Sequence, residues 1–294
     1  MILNNTNKKK LISDYQGNGA MIPIPISKKY TNNELIYVCK FSGLIRAKKN
    51  RSYKEIADDW SKYVFDNTFS GTTYTAKVPA VYARQIYVAE TLKNNLDIKN
   101  KTICDIGAGE GQFLNILKTQ YKAKVFGIEP SLKNCKKMSK QKIKNFCGTI
   151  EDFKKTKKFR KNYFDVITIT WTLVNSYSCY DIVNIAYEML KPNGIIVIAE
   201  SSRILTPFKK PLNLYLSKLP VDLHTFHFSF NSLSNLLLIN KFKINYVNRY
   251  IDSDVLLLIG SKKNITNNNK FSIDNYKEVM SFFKRWHKET EYYY

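Results

Sequence analysis

The chain has 294 residues, 44% of them hydrophobic, and a formal charge of +23 at pH 7. That is enough apolar material for one large or two small domains with a buried core. The charge invites a nucleic-acid reading, but the composition argues against it. The excess is almost all lysine, spread along the chain with many Asn, Ile and Tyr, and runs such as Lys8-Lys9-Lys10 read as solvated faces. Arginine, the better reader of phosphates and bases, occurs only as Arg46, Arg51, Arg84, Arg160, Arg203, Arg249 and Arg285. Acidic small molecules, nucleotide sugars among them, suit the same field. Cys39, Cys104, Cys135, Cys147 and Cys179 are odd in number and show no metal-ligand spacing, as expected of free thiols in a reducing compartment. The first residues lack the apolar run of a signal peptide, and the longest apolar runs are too short to span a bilayer, so a cytoplasmic protein without a membrane span is expected.

Residues 1–75 are polar and weakly periodic, with a short strand at Leu35-Ile36-Tyr37-Val38. Cys39-Lys40-Phe41-Ser42-Gly43-Leu44 follows, and helical spacing begins at Tyr53 and runs to Trp60. A longer helix is expected from Val78 to Leu92, with Pro79 tolerated in its first turn and Val81, Ile86, Val88 and Ala89 on its buried side. Apolar strands are then expected at Ile103–Ile106, Lys124–Glu129, Tyr163–Trp171 and, after a Pro–Gly turn, up to Glu200. The intervening helices should fill Gln112–Tyr121, Ser131–Lys142 and Tyr180–Leu190. A proline-rich insertion, 201–230, carries two of the three histidines and reads as a substrate lid. A helix at Ser232–Asn240 and strands at Lys243–Arg249 and Val255–Gly260 follow. In the tail, Val279, Phe282, Phe283 and Trp286 recur at helical spacing, either as a docked helix or as a partner surface.

The most informative stretch is Ile103-Cys104-Asp105-Ile106-Gly107-Ala108-Gly109-Glu110-Gly111. An apolar strand runs into an acid, and alternating glycines then lead into a helix. Such glycines let the backbone turn sharply and approach a ligand with no Cβ between, while the new helix presents unpaired N–H groups. Dinucleotide sites use G-x-G-x-x-G; here the spacing is D-x-G-x-G-x-G. An acid beside the glycines suits a cation and repels a pyrophosphate. A second acid, Glu129, ends the next strand about 20 residues on, where α/β nucleotide sites place the carboxylate that bridges ribose hydroxyls.

This pattern resembles motif I of class I S-adenosylmethionine (SAM) methyltransferases. Four further segments match the family in order: Lys124–Glu129, Phe146–Phe153, Tyr163–Trp171 and Met189–Glu200, the last resembling its LkPGG segment. The resemblance implies an α/β fold: a Rossmann-like seven-stranded sheet with helices on both faces, plus a small N-terminal region and a C-terminal helix. It implies three parts: an N-terminal region 1–75, a SAM-binding domain 76–262 with the lid 201–230, and a helical tail 263–294. It implies SAM as cofactor, with Asp105, Gly107, Ala108, Gly109 and Gly111 at the glycine turn, Glu129 on the ribose and Pro130 beside the adenine. Glu151 and Asp152 are candidates for the adenine amino group. Thr170 and Trp171 open a stretch, Thr170 to Asn175, that borders the methyl group. In the family a helix before the first core strand covers the cleft, which makes Tyr74 and Arg84 candidates for lining it.

The segment around Cys39 resembles the zinc knuckle of some sugar methyltransferases, but Ser42 stands at the second cysteine position, so no metal is expected; an ordinary β-turn reads equally well. The end of the lid, Asp222 to Leu233, resembles a segment of small-molecule and sugar methyltransferases. Of the Tyr-His-Glu-His that sugar C-methyltransferases carry there, this chain matches His227 and puts His224 at the Tyr position. His227, then His224, are the candidate catalytic base or substrate orienter. The D/N-P-P-Y/F segment of nucleic-acid amino-methylating enzymes is absent, since Thr170-Trp171-Thr172-Leu173 stands there. A small-molecule acceptor is expected, foremost a sugar or glycan precursor. An RNA methyltransferase and a SAM-binding protein without turnover are the alternatives.

Overall fold

The computed structural model describes residues 14–15, 17, 19–31, 34–48, 52–59, 79–200, 203–206, 211–216, 224–249, 253, 255–263 and 272–292. Its centre is a seven-stranded sheet. In chain order the strands are β4 (Thr102–Ile106), β5 (Lys124–Glu129), β6 (Lys144–Cys147), β7 (Phe164–Thr170), β8 (Leu190–Glu200), β10 (Phe242–Val247) and β11 (Leu256–Lys262). They lie side by side as β10-β11-β8-β7-β4-β5-β6. β4 through β8 are parallel, whereas β11 runs antiparallel to both β8 and β10. The chain steps outward from β4 to β6 and then returns to place β7 on β4's other side. That reversal opens a crevice at the carboxyl ends of β4 and β7, where ligands bind in sheets of this kind.

The near-continuous apolar runs follow from burial on both faces. In β7, β8 and β11, Ile167, Ile169, Ile196, Ile198, Leu256 and Leu258 pack on one side with helices α5 (Ile150–Lys154), α6 (Cys179–Met189) and α8 (Phe230–Ile239). The alternate residues Val166, Val197, Ala199, Leu257 and Ile259 face α2 (Pro79–Asn95), α3 (Gln112–Gln120) and α4 (Leu132–Lys140). α2, α3, α4, α6 and α8 fall within a few residues of their expected bounds; α5 is an unexpected helix, formed within the Phe146–Phe153 motif segment. The expected Pro–Gly turn is an outward bulge inside β8: Phe164 pairs with Leu190 and Val166 already with Ile195, which leaves 191–194 out of register.

The N-terminal region, the insertion and the tail, expected as three separate pieces, form a second unit beside this sheet. β1 (Met21–Ile24), β2 (Ile36–Cys39) and β3 (Ile45–Ala47) make an antiparallel sheet, and β9 (Phe226–His227) from the insertion joins its edge, with Ile45 opposite His227. Residues Leu212–Tyr215 of the insertion form the short helix α7, and α9 (Tyr276–Thr290) docks on β1, β2 and α7. Ile24, Ile36 and Val38 from the strands, Leu212 and Leu216 from the insertion, and Val279, Phe283 and Trp286 from α9 share one core. The expected long loop at 201–230 is therefore in part a sheet strand, anchored because Phe226 and Phe228 are buried. The tail helix is docked, with Val279, Phe283 and Trp286 as its buried stripe. Cys39–Leu44 is the turn of the β2–β3 hairpin, where Gly43 N–H donates to the Cys39 carbonyl and Ser42 N–H to the Cys39 sulfur. Tyr53–Asp59 forms a short helix, α1; the remaining expected residue, Trp60, lies outside the described residues.

Candidate cofactor and acceptor site

β4 delivers Asp105 to the crevice, and the chain then turns through Gly107, Gly109 and Gly111, each at a left-handed φ (+78°, +54° and +80°). At Gly107 the glycine is required twice over, because an added Cβ would also lie 2.1 Å from Thr172 Oγ1. Gly109 differs: a Cβ there would meet nothing within 4 Å. Its backbone borders open space, as a cradle for a ligand should. The turn is tied to β5, since Gly107 and Ala108 N–H both donate to the Ile128 carbonyl.

Glu129, at the end of β5, closes this cradle. Its Oε2 accepts from Gly109 N–H at 2.9 Å, and its Oε1 accepts from Ser131 N–H at 2.9 Å. Burial raises its pKa, and those N–H groups pull it back. Asp105 is 1% exposed and accepts from Thr168 Oγ1 at 2.6 Å, across the β4–β7 register pair. Burial lifts Asp105 to about 7, Thr168 opposes the shift, and the nearby charge of Glu129 adds to it. Two buried carboxyls in one crevice, neither bonded to a cationic side chain among the described residues, make a place where a ligand cation is favoured.

The other expected cofactor residues are distributed around the same sheet edge. Pro130 is exposed just beyond Glu129. Both carboxyl oxygens of Glu151, in the first turn of α5, are buried with no partner among the described residues. Asp152 is engaged elsewhere: it caps α5 with Thr149 and pairs with Lys155. Thr170 is buried at the end of β7. Trp171 adopts φ +54°, donates its N–H to the Ala199 carbonyl at 2.8 Å, and has a buried Nε1 without a partner among the described residues. Arg84 lies half-buried on α2, with no described bond to the glycine turn; Tyr74 lies outside the described residues.

The histidines sit on the cap side. His224 Nδ1 meets Asn175 Oδ1 at 3.1 Å, and His227 Nδ1 meets Tyr215 Oη at 3.1 Å. Their rings are 6.1 Å apart. His227 is 2% exposed and its Nε2 has no partner among the described residues; burial, with His224 adding to it, lowers its pKa to about 3. Sequence reasoning missed Thr168, Tyr215 and Glu200. Glu200 carried the signal that found Asp105 and Glu129, an acid ending an apolar strand. Tyr215 carried none, because nothing in the insertion marks which aromatic meets the histidine. Among the described residues no group of three or more His, Cys, Asp or Glu gathers to hold a metal, and no helix is long and apolar enough to cross a membrane.

A family model described as "Methyltransferase domain" matches residues 97–293. The demethylmenaquinone methyltransferase of Lactococcus lactis subsp. lactis (strain IL1403) is 24% identical over 173 residues, covering 56% of this chain and 68% of its own. The fold is shared with geranyl diphosphate C-methyltransferase from Streptomyces coelicolor A3(2), whose structure holds Mg2+, geranyl diphosphate and S-adenosyl-L-homocysteine: TM-score 0.54, 13% identity, 71% of this chain and 98% of that one. A chain of the Haloferax volcanii complex between the Trm112 methyltransferase activator and a methyltransferase is similar at TM-score 0.52 and 12% identity, over 62% of this chain and 92% of that one. The chain belongs to the methyltransferase-domain family, as a class I enzyme. It is a methyltransferase, and its cofactor is S-adenosylmethionine.

Proposed function

We propose that the chain moves the methyl group of SAM to an anionic small molecule bound between the loop after β7 and the cap. The observation that carries this reading is His227, a histidine 2% exposed whose Nε2 has no partner among the described residues. An atom so enclosed favours a small molecule that fits beneath the cap over a base still stacked in a folded RNA.

When bound, SAM supplies a methyl group on a cationic sulfur. The chain's part is alignment and exclusion of water. Glu129, already held by Gly109 and Ser131 N–H groups, takes the ribose hydroxyls. Pro130 lies beside the adenine. Glu151, rather than the cap-engaged Asp152, accepts from the adenine amino group and so satisfies its unpartnered oxygens. Asp105 faces the cationic end of the cofactor, with Gly107, Ala108, Gly109 and Gly111 letting it approach. Thr170 and Trp171 border the methyl group, and Arg84, on α2, belongs to the outer wall of the cleft.

On the acceptor side, His227 stays neutral at physiological pH. With a proton on Nδ1 donated to Tyr215, its Nε2 accepts from the acceptor's hydroxyl and orients it. His224 is half-buried and held by Asn175, which makes it the better residue to carry the proton away.

The net charge of +23 favours an anionic acceptor, foremost a nucleotide sugar or glycan precursor. The relatives named above act on a demethylmenaquinone and on geranyl diphosphate, which belong in the same assay. Release of S-adenosylhomocysteine is measured with nucleotide sugars, isoprenyl diphosphates, a demethylmenaquinol and RNA. Turnover on a small molecule that falls at least about tenfold in His227→Ala is expected. Turnover on RNA alone would overturn the reading.

A further inference from the structure

The loop after β7 joins the two halves of the site. At one end, Thr172 Oγ1 donates to the Ile106 carbonyl at 3.2 Å and occupies the space that a side chain on Gly107 would need. At the other, Asn175 Oδ1 meets His224 Nδ1 at 3.1 Å. Between them Leu173 N–H donates to Glu200 Oε1 at 2.8 Å, and the N–H groups of Thr172 and Val174 face the same carboxyl. Glu200 is the last residue of β8 and is 0% exposed, and its Oε2 has no partner among the described residues.

We infer that Glu200 is a positioning residue, whose carboxyl fixes the 172–174 backbone and thereby sets the glycine turn and the lid histidine at their working separation. The inference rests on the cofactor and acceptor assignments proposed above. Three consecutive N–H groups in an irregular buried loop need an acceptor, and Glu200 is where β8 supplies one. The neighbouring backbone also needs holding. Trp171 sits at φ +54°, a conformation that costs a bulky residue about 1–3 kcal/mol and persists only where the surroundings over-determine it. Its N–H is held by Ala199, the residue just before Glu200. The end of β8 therefore grips the loop at two successive residues.

The grip is sensitive to protonation. The groups facing the carboxyl are the N–H groups of Thr172, Leu173 and Val174, while β11 brings the apolar Leu256 opposite; among the described residues no charged side chain is set against it. Burial lifts Glu200 to about 8, so it holds its proton at neutral pH. An open loop gives that proton up in the ordinary carboxylate range, so opening becomes easier as the pH rises from that range to about 8 and levels off above it.

Amide hydrogen exchange of the full chain and calorimetry with S-adenosylhomocysteine test the inference together. In Glu200→Ala, peptides covering 170–176 and 224–228 should exchange about tenfold faster, and affinity for S-adenosylhomocysteine should fall about fivefold or more. Glu200→Gln keeps the acceptor oxygen, so protection and affinity should stay within about twofold of wild type. After correction for intrinsic rates, opening of 170–176 should increase between about pH 6 and 8 in wild type, level off above that, and stay flat in Glu200→Gln. Unchanged protection of 170–176 in Glu200→Ala, or loosening that leaves both 224–228 and the affinity untouched, would overturn the inference. So would one shared pH dependence in wild type and Glu200→Gln, and that comparison decides the matter even if Glu200→Ala does not fold. A wild type that binds no S-adenosylhomocysteine would instead sink the proposed function, and the exchange comparison would still decide this inference.

Discussion

The seven-stranded sheet and the cap solve the same problem, burying apolar surface, in opposite ways. The sheet is built from 102–262, interrupted only by the insertion after β8, and its neighbouring strands are mostly near in sequence. The cap is assembled from three stretches, and its β3–β9 pairing brings Ile45 to His227. The cofactor residues ride on the first unit and the lid histidines on the second. On the proposed assignments the cofactor is held by the sheet and the acceptor by the cap; the two units meet at the loop that carries Trp171 to Asn175 and where Phe226 and Phe228, on either side of His227, pack with Cys39 and Leu44 into the sheet's core.

The largest effects should come from separating the two. Trp286→Ala removes a buried ring from the cap core, where Trp286 packs on Tyr215 at 4.8 Å between centroids. A loss of about 3–5 kcal/mol is expected in denaturant melts of the cap. Affinity for S-adenosylhomocysteine should stay within about threefold, because the cofactor residues lie on the other core. A parallel collapse of affinity would show that the two units act as one.

Two glycines sharpen the contrast inside the sheet unit. Gly107→Ala combines a left-handed φ with a 2.1 Å approach to Thr172 Oγ1. Thermal and denaturant unfolding should register a loss of about 2–4 kcal/mol. Gly109→Ala meets open space and should cost about 1–2 kcal/mol, from φ alone. Its added methyl group would stand in the ligand's place, so calorimetry should show affinity for S-adenosylhomocysteine reduced about tenfold.

The smallest effect is electrostatic. Asp105 is lifted to about 7, so the folded chain keeps a proton that the unfolded chain releases in the ordinary carboxylate range. Asp105 therefore withdraws stability as the pH rises from that range to about 7, and Asp105→Asn should flatten this dependence. Its ionised form suits a cation, so the affinity for SAM should rise up to about tenfold between pH 6 and 8 in wild type and stay level in the variant.

The same contrast explains what the sequence disclosed. Strands buried on both faces read as unbroken apolar runs, and Asp105 and Glu129 stand out because each ends such a run. The cap strands are too short for any period to show: Ile45–Ala47 has three residues and Phe226–His227 two. Pro23 sits inside β1, where a strand is least expected and where the edge position tolerates it. Arg46, which nothing in the sequence sets apart from the other arginines, is buried over the Phe226 ring. The stripe on α9 was visible, but the sheet it covers lies more than two hundred residues away in the chain and left no local mark. Glu151 and Asp152 are adjacent and chemically alike; their side-chain bonds, which sequence does not contain, are what distinguish them.

The central claim is that the glycine turn and the Glu129 carboxylate together hold the nucleoside of SAM. Calorimetric titration of the wild-type chain and of Glu129→Ala with S-adenosylhomocysteine tests it most directly. The account predicts one saturable site per wild-type chain and an affinity lower by about a hundredfold in the variant, as two or more hydrogen bonds to a charged group are lost. A wild type that releases no heat of binding, or a variant that binds as tightly as wild type, would contradict it.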